Sequence, residues 1–173
     1  MKRRGTAGAY DLGMRKKGNP DDAVLLAQLD TTAERAGTWH RLLEVAREFA
    51  EVAQHPDDFR WHPAQQRPDG VMVTGYPLYG ERVERAREAL VGVGAVTPLY
   101  HWGSHRPPTV PDGGQLAPAD AVRLATAVVR GERFCDGCIG SAVEDGTLRA
   151  VLSSLAAWYG EQRAQHVTVR PEA

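Results

Sequence analysis

The chain has 173 residues, 42% hydrophobic and 25% charged, with a formal net charge of −1. That composition fits an ordinary globular protein and excludes collagen-like, wholly disordered and disulfide-rich classes, and the length suits one core better than two. No apolar run approaches the roughly 20 residues that span a bilayer, and the basic N-terminus lacks the apolar segment of a secretory signal; with two cysteines only, the sequence predicts a cytoplasmic protein with reduced thiols, no membrane contact and no cofactor.

The charge is unevenly placed. Lys2, Arg3, Arg4, Arg15, Lys16 and Lys17 face only Asp11, and these three lysines are the only ones in the chain. Residues 1–18 read as a disordered basic tail, 19–165 as a single globular domain and 166–173 as a C-terminal tail. A basic arm can hold phosphate backbones at a strength set by counterion release, so weak nucleic-acid contact through residues 1–17 is one expectation and a solubilising terminus the other.

Asn19-Pro20-Asp21-Asp22 reads as a helix start, with Asn as cap and Pro in the first turn, and a helix is expected from there to Ala36. Gly37 is expected to stop it and Thr38 to cap the next, in which Trp39, Leu42, Leu43, Ala46, Phe49 and Ala53 recur at helical spacing. Residues 55–68 hold three prolines among Phe59, Trp61 and His62 and read as a loop pinned by aromatics. Strands are expected at Val71–Thr74 and Val96–Trp102, pairing as a small two-stranded β element, with a helix from Tyr79 to Leu90 between them. Four prolines make Arg106–Pro118 an exposed loop. Pro118–Arg130 is apolar nearly all round and reads as the central packed helix. Gly137 and Gly146 bracket a short helix, and Leu148, Val151, Leu152, Leu155, Ala156 and Tyr159 form the clearest stripe of all. The fold class expected is mainly α, a helical domain with a small two-stranded β element (α+β).

Arg130-Gly131-Glu132-Arg133-Phe134-Cys135-Asp136-Gly137-Cys138 crowds charges, thiols and glycines into one helix junction. It resembles the R-G-E-R-F-x-D-G signature of an uncharacterised family of small bacterial proteins of unknown function, a likeness best over Ala117–Trp158 and echoed in Tyr100–Gly103. The resemblance implies no chemistry.

The candidate ligand-binding residues are Tyr100, His101, Trp102, Arg130, Glu132, Arg133 and Asp136. If the central helix continues through Phe134, Arg133 points to its packed side, where a guanidinium needs an internal carboxylate or an anionic ligand; internal pairing is the expectation. Cys135 and Cys138 have the spacing of redox dithiols, but a helix is expected to precede them where a redox site wants one to follow, so buried thiols are expected. His101 and His105 could complete a Cys₂His₂ zinc set only by an unusual ligand order and a long loop closure, so no metal is expected. Tyr100 and Trp102 alternate with His101, which places the aromatics toward a core or a planar ligand and the imidazole opposite. No nucleophile elbow, Walker or metalloprotease motif is present, and no catalytic residue is assigned. The first functional expectation is therefore a non-enzymatic binding or interaction protein with an Arg-containing, anion-tolerant pocket for a small anionic ligand or a protein partner. The alternatives are a small enzyme on a phosphorylated or nucleotide-like substrate, using Arg130 and Arg133 as clamp and Glu132 or His101 for the proton, and nucleic-acid binding through the arm.

Overall fold

The computed structural model describes residues 18–168, so the basic arm with its nucleic-acid expectation and the last five residues lie outside the described residues. In chain order come α1 (Asp22–Leu26), α2 (Ala36–Glu51), β1 (Phe59–His62), β2 (Gln65–Gln66), β3 (Met72–Val73), β4 (Tyr76–Tyr79), α3 (Glu81–Gly92), α4 (Pro118–Gly131), α5 (Cys138–Glu144) and α6 (Thr147–Thr168). The fold is mainly α with a small antiparallel β element. Helix α6 lies at the centre, packed against α2, α4 and α5, while α3 covers α2 and α1 covers α4.

The helical stripes fold as their spacing dictates. Leu148, Val151, Leu152, Leu155 and Tyr159 of α6 are buried, as are Trp39, Leu42, Ala46 and Phe49 of α2 and Val83, Ala86 and Leu90 of α3. Leu43 and Ala156 are half-buried against this core, and Ala53, beyond the end of α2, is exposed. Each fully buried aliphatic side chain contributes about 1.5–3 kcal/mol. Trp39 stacks face to face on Tyr159, centroids 4.3 Å apart, and so locks α2 to α6. Helix α4 is buried through Ala119, Ala121, Val122, Leu124, Ala125 and Thr126. Buried Thr126 donates to the Ala95 carbonyl and accepts from the Thr97 amide, tying down the chain that leaves α3.

The single helix expected over residues 19–36 is instead a five-residue α1, a bend and a 3₁₀ turn at Ala33–Arg35. The cap is Asp21, whose carboxylate accepts from the Val24 amide at 2.9 Å, whereas Asn19 accepts from the His101 amide. The break is a tertiary effect centred on Asp30: its carboxylate accepts from the Thr32 amide and hydroxyl, its carbonyl accepts the Trp39 indole at 2.7 Å, and its amide donates to the Val93 carbonyl. Gly37 sits in the first turn of α2 rather than ending a helix, and Thr38 is buried. A Cβ on Gly92 would meet the Thr38 methyl at 2.6 Å, so Thr38 is a packing residue rather than a cap.

The aromatic loop expected at 55–68 is the first half of a β arm. Strand β1 pairs antiparallel with β4, Phe59 opposite Tyr79 and Trp61 opposite Pro77, and β2 pairs antiparallel with β3 as a separate two-stranded ladder nearer the tip. Arg67-Pro68-Asp69-Gly70 closes the tip, the Gly70 amide donating to the Arg67 carbonyl at 2.9 Å, with Gly70 at φ +83°. The expected strand at Val71–Thr74 is thus present as β3, but its partner is β2. Val96–Trp102 forms turns and no strand, because the Thr97 and Leu99 amides go to threonine hydroxyls rather than to a ladder. Tyr79 ends β4 instead of starting α3, whose N-cap is Gly80.

The base of the arm is fixed by an ion pair between residues 24 positions apart, a pairing that no periodicity signals. The Arg82 guanidinium grips both carboxylate oxygens of Asp58, donates to the carbonyls of Glu48 and Val52 at the end of α2, and lies 4.1 Å over the Phe49 ring. Among the described residues no helix is long and apolar enough to cross a membrane.

Candidate functional site

The signature forms the corner between α4 and α5. Helix α4 ends at Gly131, because α5 crosses there and Cys138 Sγ lies 3.5 Å from where a Cβ on Gly131 would stand. The chain then turns so that Glu132 reaches back over the start of α5. Its Oε1 accepts from the Gly137 amide at 2.9 Å and from the Tyr79 hydroxyl at 2.7 Å, and its Oε2 accepts from the Ile139 amide at 2.8 Å. These amides are among the donors a helix start leaves without internal partners, and a carboxylate there also meets the favourable end of the helix dipole. Glu132 therefore joins three elements, α4, α5 and β4.

The glycines of the corner are spaces for aromatic rings from the arm. Gly137 stands at φ +89°, and a Cβ on it would meet the Trp61 ring at 2.6 Å; one on Gly140 would overlap the Phe59 ring. Phe59 in turn stacks on Tyr79 at 5.7 Å. The β arm is thus clamped to α5 by two rings seated on two glycines and one hydroxyl bonded to Glu132. Burial first, then the hydrogen bond to Glu132 and its charge, pushes the Tyr79 phenol well above its usual range.

Beside this corner opens a cleft of about 490 Å³. Leu124, Ala127 and Val128 of α4 and Ala142 of α5 line it together with Trp102 and Pro107 from the proline-rich loop. Cys135, Asp136, Cys138, Ser141, Asp145 and Thr147 contribute its polar groups. Asp145 spends one oxygen on the Thr147 amide at the start of α6, whereas Asp136 is exposed and carries no hydrogen bond or ion pair to another described group. Phe134 is 80% exposed, a large apolar surface for a non-core residue, and its ring lies 5.8 Å from Trp102, which borders the cleft.

The candidate residues are only partly brought together here. Trp102 and Asp136 line the cleft. Tyr100 is buried in the core, its phenol pushed upward chiefly by burial; His101 is exposed, so the alternation holds although no strand produces it. Arg130 is half-buried and donates to the Thr97 carbonyl at 3.2 Å. Arg133 is the clear correction: it is exposed and pairs with no carboxylate among the described residues, because α4 ends two residues before it and the turn swings it outward. Neither arginine lines the cleft, whose formal charges among the described residues are carboxylates. Glu132 is engaged by its three donors, so the expected arginine clamp and proton carrier are not assembled in the cleft. The thiols are free. Cys135 is exposed and Cys138 half-buried, contrary to the expectation of two buried thiols, and α5 begins at Cys138, so a helix both precedes and follows the pair. Burial foremost, then the hydrogen bond and charge of Cys135 and the charge of Glu132, pushes the Cys138 thiol up to about 11. Among the described residues no three His, Cys, Asp or Glu side chains gather as a metal site.

Reading the letters missed Ser141, Asp145, Leu124 and Pro107 as cleft residues. The spacing of Leu124, Ala127 and Val128 was visible, but as a core stripe; only the gap between α4 and α5 leaves its end uncovered.

A model of a family of unknown function (DUF6508) matches residues 34–161. No curated protein and no solved structure matches the chain.

Proposed function

The chain belongs to DUF6508, a family of unknown function, and within it we propose a non-enzymatic binding protein whose ligand enters the cleft between α4, α5 and Trp102. One observation carries the reading: a cleft of about 490 Å³ has an apolar wall from α4 and a polar edge whose charges are Asp136 and Asp145. Small-molecule sites have this make-up, an apolar body with a few placed polar groups. The sign of the charge decides the ligand class. With carboxylates and no base lining it among the described residues, the cleft suits a small, largely apolar molecule bearing a protonated amine or another donor, and disfavours the phosphorylated or otherwise anionic ligand expected from Arg130 and Arg133. Asp136 has its acceptors free for that donor, and the Trp102 ring offers a face for a planar or cationic group.

Ligand-observed NMR with a fragment set containing matched aromatic amines and aromatic carboxylates tests the reading. Amine-bearing fragments are expected to bind, to shift resonances of Trp102, Val128 and Ser141, and to weaken about tenfold in Asp136→Asn, the loss of one charge-assisted hydrogen bond. Ser141→Trp, which fills the cleft from its exposed edge, should abolish binding. Preferential binding of the carboxylates, or binding untouched by Ser141→Trp, would overturn the proposal.

A further inference from the structure

Cys135-Asp136-Gly137-Cys138 is a β-turn with a thiol at each corner. The Cys138 amide donates to the Cys135 carbonyl at 3.3 Å, which closes the four residues, and Gly137, at φ +89° and ψ 6°, holds the left-handed third position that this turn requires. Such a turn keeps its end Cα atoms within about 7 Å, inside the range a disulfide spans. The two thiols lie close enough to influence one another, Cys135 helping to hold the Cys138 thiol protonated. Exposure is graded: Cys135 is open to solvent and Cys138 half-covered. The turn, the proximity it imposes and the graded exposure of the two thiols meet at one place.

We propose that Cys135 and Cys138 are a reversible dithiol that oxidises to an intramolecular disulfide by exchange with low-molecular-weight disulfides. The exposed Cys135, as thiolate, attacks one sulfur of the small disulfide; a Cys135–S bond forms, the S–S bond of the reagent breaks, and one small thiolate leaves with the electron pair. Cys138 then gives up its proton to solvent and attacks the Cys135 sulfur, forming the Cys135–Cys138 bond and expelling the second small thiolate. Two electrons and two protons pass from the protein dithiol to two molecules of small thiol, and a reducing dithiol reverses the balance. Burial and the neighbouring charge of Glu132 oppose ionisation of Cys138, so Cys135 is the entering thiol and Cys138 the resolving one.

Trp61 supplies an internal reporter, because its ring packs on Gly137, between the two cysteines. The inference does not rest on the identity of a cleft ligand, although both cysteines line the cleft.

The test incubates the full chain in glutathione buffers ranging from fully reduced to fully oxidised, followed by acid quench, thiol alkylation and intact mass. Wild type is expected to lose the mass of two hydrogens, to become unalkylatable at both cysteines, and to recover both thiols in dithiothreitol, with the Trp61 emission changing along the same titration and silent in Trp61→Phe. Cys138→Ser is expected to stop at a single glutathione adduct on Cys135. Cys135→Ser, left with the half-covered thiol, should react more slowly than Cys138→Ser. A wild-type chain that stays alkylatable at both positions in oxidised glutathione, that halts as a stable mixed disulfide, or that joins into disulfide-linked dimers would overturn the proposal. All three readouts on wild type stand even if a serine variant folds poorly.

Discussion

Two carboxylates fasten the β arm to the helices, and the molecule satisfies them in different ways. Asp58, just before β1, meets a guanidinium; Glu132, after α4, meets two backbone amides and a phenol. The side chain of Asp58 is 4% exposed and that of Arg82 13%, so water does little to screen or replace either charge. Such a pair adds little net stability compared with apolar residues of the same shape, yet breaking it strands a buried ion. Glu132 is half-buried at the corner and its partners are dipoles. Losing it leaves unmet hydrogen bonds rather than an unmet charge. The Asp58 side of the arm is therefore a covered ion pair flanked by polar clefts of about 310 and 400 Å³, whereas the cleft on the Glu132 side has an apolar wall and an accessible thiol pair at its edge.

The sharpest way to break this comparison is Arg82→Ala, expected to cost about 3–5 kcal/mol in urea melts, because Asp58 is left charged and covered. Arg82→Lys should recover only part of that, since a single ammonium cannot hold both Asp58 oxygens and the carbonyls of Glu48 and Val52 together. A loss below about 1 kcal/mol in Arg82→Ala would mean that the joint behaves as a solvated surface pair.

Glu132→Gln comes next. The amide keeps one acceptor oxygen and puts a donor against an amide or the Tyr79 hydroxyl, so about 1–2 kcal/mol should be lost, and hydrogen exchange at Gly137 and Ile139 should quicken before the rest of α5. A cost equal to that of Arg82→Ala would erase the distinction between the two joints.

The smallest effect is electrostatic and appears only in alkali. The folded state holds the Cys138 thiol at about 11 against an ordinary 9.0, so above pH 9 the unfolded chain binds fewer protons than the folded one. The corresponding stability is complete below pH 9 and is lost as pH rises through about 11. Tyr79 acts in the same direction from pH 10 upward. Melting temperature should therefore fall beyond pH 9; Cys138→Ser should flatten the first part of that fall and Tyr79→Phe the later part. A fall unchanged in both variants would place the responsible groups away from the Glu132 corner.

The sequence by itself determined the helices that bury one continuous stripe. Apolar side chains every three or four residues leave a chain no other economical way to cover them, and so α2, α4 and α6 stand where Trp39–Phe49, Ala119–Ala125 and Leu148–Tyr159 place them. It also showed that the signature is a corner, because Gly131 and Gly137 interrupt helical residues. Tertiary structure decided the rest. Of the β arm only β3 was marked, by the run Val71–Thr74; the arm has strands without a buried face, Trp61 being exposed, so no alternation marked the other three or showed which strands pair. The first helix was cut by Asp30, whose backbone and carboxylate serve Trp39, Val93 and Thr32 at once. Arg133 changed from an inward ion to an exposed one because α4 stops two residues earlier, and that stop is set by Cys138 packing on Gly131. Asp58 finds Arg82 24 residues away and Glu132 finds Tyr79 53 residues away. Periodicity reports which face of a segment is covered; it carries no information about which distant group meets a given carboxylate, and both joints of the arm, the cleft beside one of them and the charge of its lining are consequences of those meetings.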